Sequence, residues 1–402
     1  MDHQSSSSHM QSASSRPFET ERLFDLWPIF AWMFLFMISN GVGITVMPVL
    51  AILQSMPNWV LGIIGAIYFG GMFLGYFIGP PFVRYLGYKK SALWLLPIMI
   101  FGTIVLLTQS TVLWAVGRGF AGLGVGISYI IAESWVAAQA HSSIRMTALS
   151  IYITAAIIGI LAAQAALTYI DPSTLPALFL GFATILAASL LIALAPVPEI
   201  RSHRNNNHHG RTGRIIRGAL IPLLGVFISG FLFSIFVTFY PAFGAHHGMM
   251  PATIPLIGVI VMAGAALVQP VFGRLAERVL PYRLLLIAAL ASAGASMALV
   301  MSAEVTVSFY ALIALWGATA LTTYPLYGGL AYAALPEEPT FDIARIVLIA
   351  YGVAEIIAPP LMGALIDAWG ADWLFRMAAI LGVLLGAALL FATPQRGKTA
   401  LS

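Results

Sequence analysis

A chain of 402 residues that is 60% hydrophobic and only 8% charged cannot turn its surface to water, because soluble domains carry about 25% charged residues. It contains no cysteine, which excludes disulfides and thiolate metal sites. The net charge of +4 does not mark a nucleic-acid binder, since the basic residues are confined to breaks between apolar runs.

Residues 1–22 are Ser-rich, lack an apolar run and read as a disordered tail. Twelve apolar stretches come after it, predicted at 24–50, 58–82, 90–109, 111–136, 146–169, 175–196, 218–243, 252–273, 282–302, 305–334, 343–366 and 373–393. Each is close to the ~20 residues that cross a hydrocarbon core of ~30 Å as a helix. Runs such as 93–107 show none of the alternation of a β-barrel strand. With the first residue placed inside, every one of the 19 Lys and Arg except Arg118 and Arg376 falls in an inner segment. That bias fixes both termini in the cytoplasm and favours an even number of spans. The basic, Asn- and His-rich stretch 199–217 reads as a linker between two bundles of six helices, 23–198 and 218–394, with a short tail at 395–402. His203, His208 and His209 in that linker show no repeated ligand spacing.

Polar residues inside the spans are the candidates for function. Span one carries Asn40 and Thr45, span four Arg118 and Glu133, span five Tyr152 and Gln164, and span seven Ser234 and Thr238. Span ten offers Trp316, Thr319, Thr323, Tyr324 and Tyr327, and span eleven places Glu355 at its middle. Ionisable groups at that depth face a bundle interior or wet cavity, and they mark substrate paths and proton relays. Glu355 and Arg118 therefore lead as substrate or proton-coupling residues. Asn40, Gln164, Tyr152, Trp316, Tyr324 and Tyr327 come next, as residues able to line a path for a small organic solute. Glu133 stands fifteen residues after Arg118, about 22 Å along the helix, too far to pair with it. Thioether and imidazole could suit Cu(I). His246 and Met250 would be its ligands, but Met is also a common filler of apolar helices.

The loop GPPFVRYLGYKK (79–90) comes after span two, and FGRLAERVLPYR (272–283) after span eight. The same basic loop at the same place in both halves indicates an internal duplication, the architecture of transporters with a midplane site at the repeat interface. The two loops resemble the G-x-x-x-D-R-x-G-R/K-R/K signature of the major facilitator superfamily. Gly79, Arg84, Gly87, Lys89 and Lys90 match in the first copy, where Val83 replaces the acid. Gly273, Glu277, Arg278 and Arg283 match in the second. RGFAGLG (118–124) is similar to the R-x-x-x-G-x-G motif of span four. AESWVAAQA (132–140), RMTALSIYITAAIIG (145–159), LVQPVFGRLAER (267–278) and YPLYGGLAYAAL (324–335) look like the YcaD-like bacterial branch.

The resemblance implies an all-α membrane protein, with twelve transmembrane helices in two pseudo-symmetric bundles. It implies secondary transport of a small solute across the bacterial inner membrane by alternating access, the work of a monomer exchanging protons. It also implies an inner latch built from Arg84, Lys89, Lys90, Gly273, Glu277 and Arg278. From its place at the cytoplasmic end of span four, Glu133 is expected to replace the missing acid by binding Arg84 or Arg145, which adds both to the inner gate. Some similar proteins have copper-uptake roles, but they place Met in span seven, and FLFSIFVTFY (231–240) has none. A membrane sensor or assembly factor on the same fold is the other alternative. No P-loop, H-E-x-x-H or G-x-S-x-G motif occurs, so neither enzymatic activity nor a cofactor is expected.

Overall fold

The computed structural model describes residues 22–108, 110–141, 144–195, 212–302, 304–338 and 340–392. The N-terminal tail before Arg22, the stretch 196–211 with its histidines and the C-terminal segment from 393 lie outside the described residues, as do the side chains of Glu277 and Arg278.

Fourteen α-helices are described: α1 Trp27–Leu53, α2 Asn58–Leu86, α3 Tyr88–Ile104, α4 Thr111–Gln139, α5 Arg145–Leu167, α6 Leu175–Leu194, α7 Thr212–Gly218, α8 Leu220–His246, α9 Pro255–Arg278, α10 Pro281–Val300, α11 Val307–Ala320, α12 Tyr324–Ala334, α13 Thr340–Trp369 and α14 Trp373–Ala392. Together they make 12 spans long and apolar enough to cross a bilayer, with α11 and α12 sharing the tenth.

Three local departures from the sequence reading have physical causes. Span ten breaks at 321–323, ahead of Pro325 in the first turn of α12. Proline lacks an N–H and disfavours a helical residue before it. The Thr322 and Thr323 hydroxyls donate to the carbonyls of Ala318 and Ala320, so the freed groups stay satisfied. The first basic loop is mostly helix, because α2 runs through Pro80 and Pro81 to Leu86. The turn into α3 is a single residue, Gly87, whose φ of +82° favours glycine. Residues 212–217, expected in the linker, are helical in α7, where Arg214 meets Glu337 at 3.6 Å and Glu338 at 3.3 Å.

The duplication is visible in the packing. In the first half α2 packs on α4, α1 on α5 and α6, and α3 on α4 and α6. The second half repeats each pair: α9 on α11, α8 on α13 and α14, and α10 on α11 and α14. The halves meet through α2 with α13, α5 with α9, and α1 with α8, the last two being the most buried spans. The first two contacts exchange under the same pseudo-symmetry. Small residues let these helices approach closely. At Gly122 a side chain would collide with the Tyr68 carbonyl of α2.

Candidate functional site

One face of the bundle carries Arg84, Lys89, Lys90, Arg145, Arg214, Arg217, Arg274, Arg283 and Arg345 near its helix ends, and the opposite face carries Arg376. On that opposite face the halves are joined. Helix α2 begins after Pro57, which offers no side-chain cap. The cap comes from the other half: the Asp367 carboxylate of α13 accepts from Asn58 N at 2.9 Å, Asn58 Nδ2 at 2.8 Å and Trp59 N at 2.8 Å. A carboxylate at a helix N-terminus satisfies orphan donors and complements the dipole. Beside it Gly363 lies against the Asn58 backbone, and Gly62 against Pro359. Asp367→Ala is expected to weaken this seam by about 1 kcal/mol, a roughly fivefold shift toward separation. The natural chain is free of cysteine, so a single reporter cysteine in place of Met47 can measure the shift as a faster reaction with an impermeant maleimide.

Below the seam, Thr45 Oγ1 lies 2.7 Å from Gln164 Oε1 and 2.8 Å from the Tyr240 hydroxyl. Tyr240 also donates to Gln164 Oε1 at 3.0 Å. Gln164 Nε2 donates to the Gly41 carbonyl at 3.3 Å. This buried network ties α1 and α5 to α8. Next to it lies a small hollow lined by Ile44, Met47, Leu61, Tyr68, Arg118 and Thr238 from both halves. Arg118 is buried, with its guanidinium carbon 4.1 Å from the centre of the Tyr68 ring, a cation–π contact. The Tyr68 hydroxyl donates to Asn40 Oδ1 at 3.1 Å. Asn40, Gln164 and Arg118 thus gather at the seam between the halves.

Glu355 stands midway along α13, 1% exposed, and its Oε1 has no hydrogen-bond partner. Tyr68 and Tyr76 of α2, Tyr129 of α4, Tyr324 of α12 and Tyr351 of α13 lie near enough to feel its charge. All of these except Tyr68 are half-buried, and Tyr324 meets Tyr351 edge-on at 4.7 Å. Toward the basic face, Tyr152 donates to Glu133 Oε2 at 3.5 Å, and Tyr324 and Tyr332 of the other half sense the same carboxylate. Tyr324 thus lies within electrostatic range of both carboxylates.

The remaining candidates are placed elsewhere. Trp316 packs on Phe236 and Phe375, with ring centres 5.1 and 5.3 Å away, inside the second half. Tyr327 is buried against Gly225 and borders a second small hollow, with Ser229, Ser292, Thr319 and Thr323, also inside that half. Ser234 donates to the Phe231 carbonyl of its own helix. Glu133, expected to meet Arg84 or Arg145, instead receives Tyr152. Helix α2 buries Val83 and turns Arg84 outward. Arg145 donates to the Ala140 carbonyl at the end of α4 at 3.1 and 3.2 Å, and Lys89 to Ala195 at the end of α6 at 3.1 Å. Cations are favoured at such C-termini. Lys90 and Gly273 are exposed. His246 Nε2 lies 4.0 Å from Asp372, and Met250 is exposed. Among the described residues no cluster of three or more His, Asp or Glu could hold a metal ion. Reading the sequence missed Asp367, Tyr76, Tyr129 and Tyr351. A helix beginning Pro-Asn-Trp without a capping side chain was the one available sign of the first.

A profile described as Major Facilitator Superfamily matches residues 29–340 and 222–402. An uncharacterised MFS-type transporter of Yersinia enterocolitica, YE1530, is 23% identical over 376 residues, covering 91% of this chain and 95% of that protein. YcaD of Salmonella dublin, also an uncharacterised MFS-type transporter, is 22% identical over 338 residues, covering 83% of this chain and 87% of its own. Among solved structures, a point mutant of the nucleoside transporter NupG aligns with a TM-score of 0.74 at 13% identity, covering 92% of this chain and 100% of the other. A bacterial homologue of the human lysosomal transporter Spinster, inward-facing and unoccupied, aligns with a TM-score of 0.72 at 16% identity, covering 94% and 97%.

Proposed function

Since the chain belongs to the major facilitator superfamily, we propose that it is a proton-coupled secondary transporter, moving a small solute across the bacterial cytoplasmic membrane by alternating access. In this reading the protein is a monomer, the basic face and both termini are cytoplasmic, and 23–198 and 218–394 are the two rocking units. The observation that carries it is the asymmetry of the seam. On the face away from the basic residues the halves are locked by Asp367 on α2 and by the Thr45–Gln164–Tyr240 network. On the basic side, Glu133 is held by Tyr152 of its own half, and Tyr324 of the other half lies within electrostatic range of Glu133 and Glu355. This arrangement suits an inward-open state, the one named for the Spinster homologue. Alternating access then requires the Asp367 seam to break as the basic side closes.

Arg118 and Glu355 are the charged groups of the path, and Asn40, Gln164, Tyr152 and Tyr324 border it. Trp316 and Tyr327 support the second half from within. Arg84, Lys89, Lys90, Arg145, Gly273, Glu277 and Arg278 form the inner gate, closing against the opposite half in the outward-open state. The test is counterflow in proteoliposomes, with trans-loaded solute expected to accelerate saturable uptake of its labelled form. Non-saturating flux would identify a channel. Absence of counterflow for sugars, amino acids, nucleosides, organic ions and Cu(I) alike would identify a sensor or assembly factor.

A further inference from the structure

We infer that the hollow between the halves is a binding site for one monatomic anion, chloride, held by Arg118 of the first half and the Thr238 hydroxyl of the second. This goes beyond the transport reading, because the ion locks the seam and is not the cargo.

The first observation is a permanent charge without a counter-ion. Arg118 lies inside α4 and is 7% exposed. Its guanidinium carbon stands 4.1 Å from the centre of the Tyr68 ring. Among the described residues no hydrogen bond or ion pair reaches it. Arginine keeps its proton in proteins, so it cannot neutralise itself as a buried acid can. A ring face offsets only part of the cost of taking a charge out of water. The five N–H donors of the group need acceptors as well.

The second observation is the space beside it. The hollow measures about 20 Å³ and is lined by Arg118, Tyr68, Leu61 and Gly65 from the first half and by Val237 and Thr238 from the second. That volume takes one occupant of about the size of a water molecule. Two glycines keep the polar groups uncovered. A Cβ at Gly43 of α1 would lie 3.0 Å from Arg118 Nη1, and one at Gly65 of α2 would lie 2.9 Å from Thr238 Oγ1. Thr238 is 5% exposed and, like Arg118, has no hydrogen bond among the described residues.

Size and charge together select the occupant. A cation is repelled by the guanidinium. A water molecule supplies lone pairs but leaves the charge unmatched. A carboxylate or phosphate supplies charge but is too large for the space. Chloride supplies charge and acceptor capacity in one atom, and it can accept from the guanidinium and the Thr238 hydroxyl at once. These two donors belong to different halves, so the complete site exists only while the seam is closed. A ligand that binds one state better shifts the population toward that state. Chloride therefore reinforces the seam that Asp367 caps.

The test is thermal melting of the purified full chain in lipid nanodiscs, with chloride, bromide or acetate replacing gluconate at constant sodium and ionic strength. Chloride and bromide are expected to raise the melting temperature saturably, and acetate to match gluconate. In Arg118→Gln the saturable rise should vanish. Thr238→Val keeps the shape of the side chain but loses a hydrogen bond to a charged group, so about tenfold more chloride should be needed. With the reporter cysteine at Met47, maleimide labelling should run several-fold faster in gluconate than in chloride. No saturable difference between chloride and gluconate, an equal rise with acetate, a chloride response unchanged in either variant, or labelling indifferent to the salt would overturn the inference. The two variants report independently, so misfolding of Arg118→Gln leaves Thr238→Val to decide. Counterflow without any chloride effect on melting refutes the anion site and leaves transport standing, whereas a chloride effect without counterflow does the reverse.

Discussion

Uptake driven by an imposed proton gradient is expected to fall about hundredfold in Glu355→Gln, equivalent to about 2.7 kcal/mol of activation free energy. The residual uptake should no longer respond to pH. The glutamine keeps the volume and the hydrogen-bonding reach of the side chain but cannot take up or release a proton. A purely structural acid would give a different pair of results. A carboxylate that holds helices together by accepting hydrogen bonds would lose stability on this change, with transport falling in proportion. Oε1 of Glu355 has no partner, and no ion pair among the described residues reaches it. A neutral amide at that depth is cheaper to bury than a charge. Glu355→Gln is therefore expected to melt at the same temperature as the natural protein or higher, even as transport is lost. This is the trade between activity and stability that functional sites show. Normal proton-driven uptake in the variant, at every pH tested, would remove Glu355 from the mechanism. Glu355→Asp, which retains the charge one methylene short, should recover part of the response.

How much of this was legible before the structure depends on whether one helix at a time sufficed. Hydropathy reports the solvent of each segment, so the twelve spans were readable, and the paired basic loops revealed the duplication. Glu355 and Arg118 stood out because an ionisable group inside a span is conspicuous in isolation. The features that eluded the sequence lie between helices. Asp367 looked like an ordinary charge at the end of a span, and its role exists only because α2 of the other half starts against it without a cap. Tyr76, Tyr129 and Tyr351 are unremarkable singly and come within electrostatic range of Glu355 only through the packing of α2, α4 and α13. Trp316 and Tyr327 show the opposite error. Their polar tips suggested a path, but the face of span ten that carries them turns into its own bundle, and the break at 321–323 sets α12 on a new course. The acid missing at Val83 invited a substitute in Glu133, yet Tyr152 meets that carboxylate first.

The same chemical change at two glycines should separate the contacts that hold one half together from those that hold the two halves shut. At Gly122 a side chain would run into the Tyr68 carbonyl, with Met72 N at 3.1 Å, and both helices involved belong to the first half. That contact is present in every state of a rocking transporter. Gly122→Val is therefore expected to destabilise the fold itself, by about 3 kcal/mol, the upper range for overpacking a close contact. It should be seen as a lower melting temperature and a lower yield of folded protein. At Gly363 a side chain would meet the Asn58 carbonyl and Trp59 Cα, the latter at 2.8 Å, but α13 and α2 belong to different halves. Separation of the seam relieves that clash without disturbing either bundle. Gly363→Val should accordingly cost little in melting temperature and drive the population toward the state open on the Asp367 face. A cysteine placed at Met47, buried beneath the seam, should then react with an impermeant maleimide more than tenfold faster, a shift of about 1.4 kcal/mol or more in the opening equilibrium. Transport should fall to background because one half of the cycle is blocked. Equal loss of stability in the two variants would show that the bundles form one rigid body. An unlabelled cysteine with normal transport in Gly363→Val would show that the seam around Asp367 is not the gate.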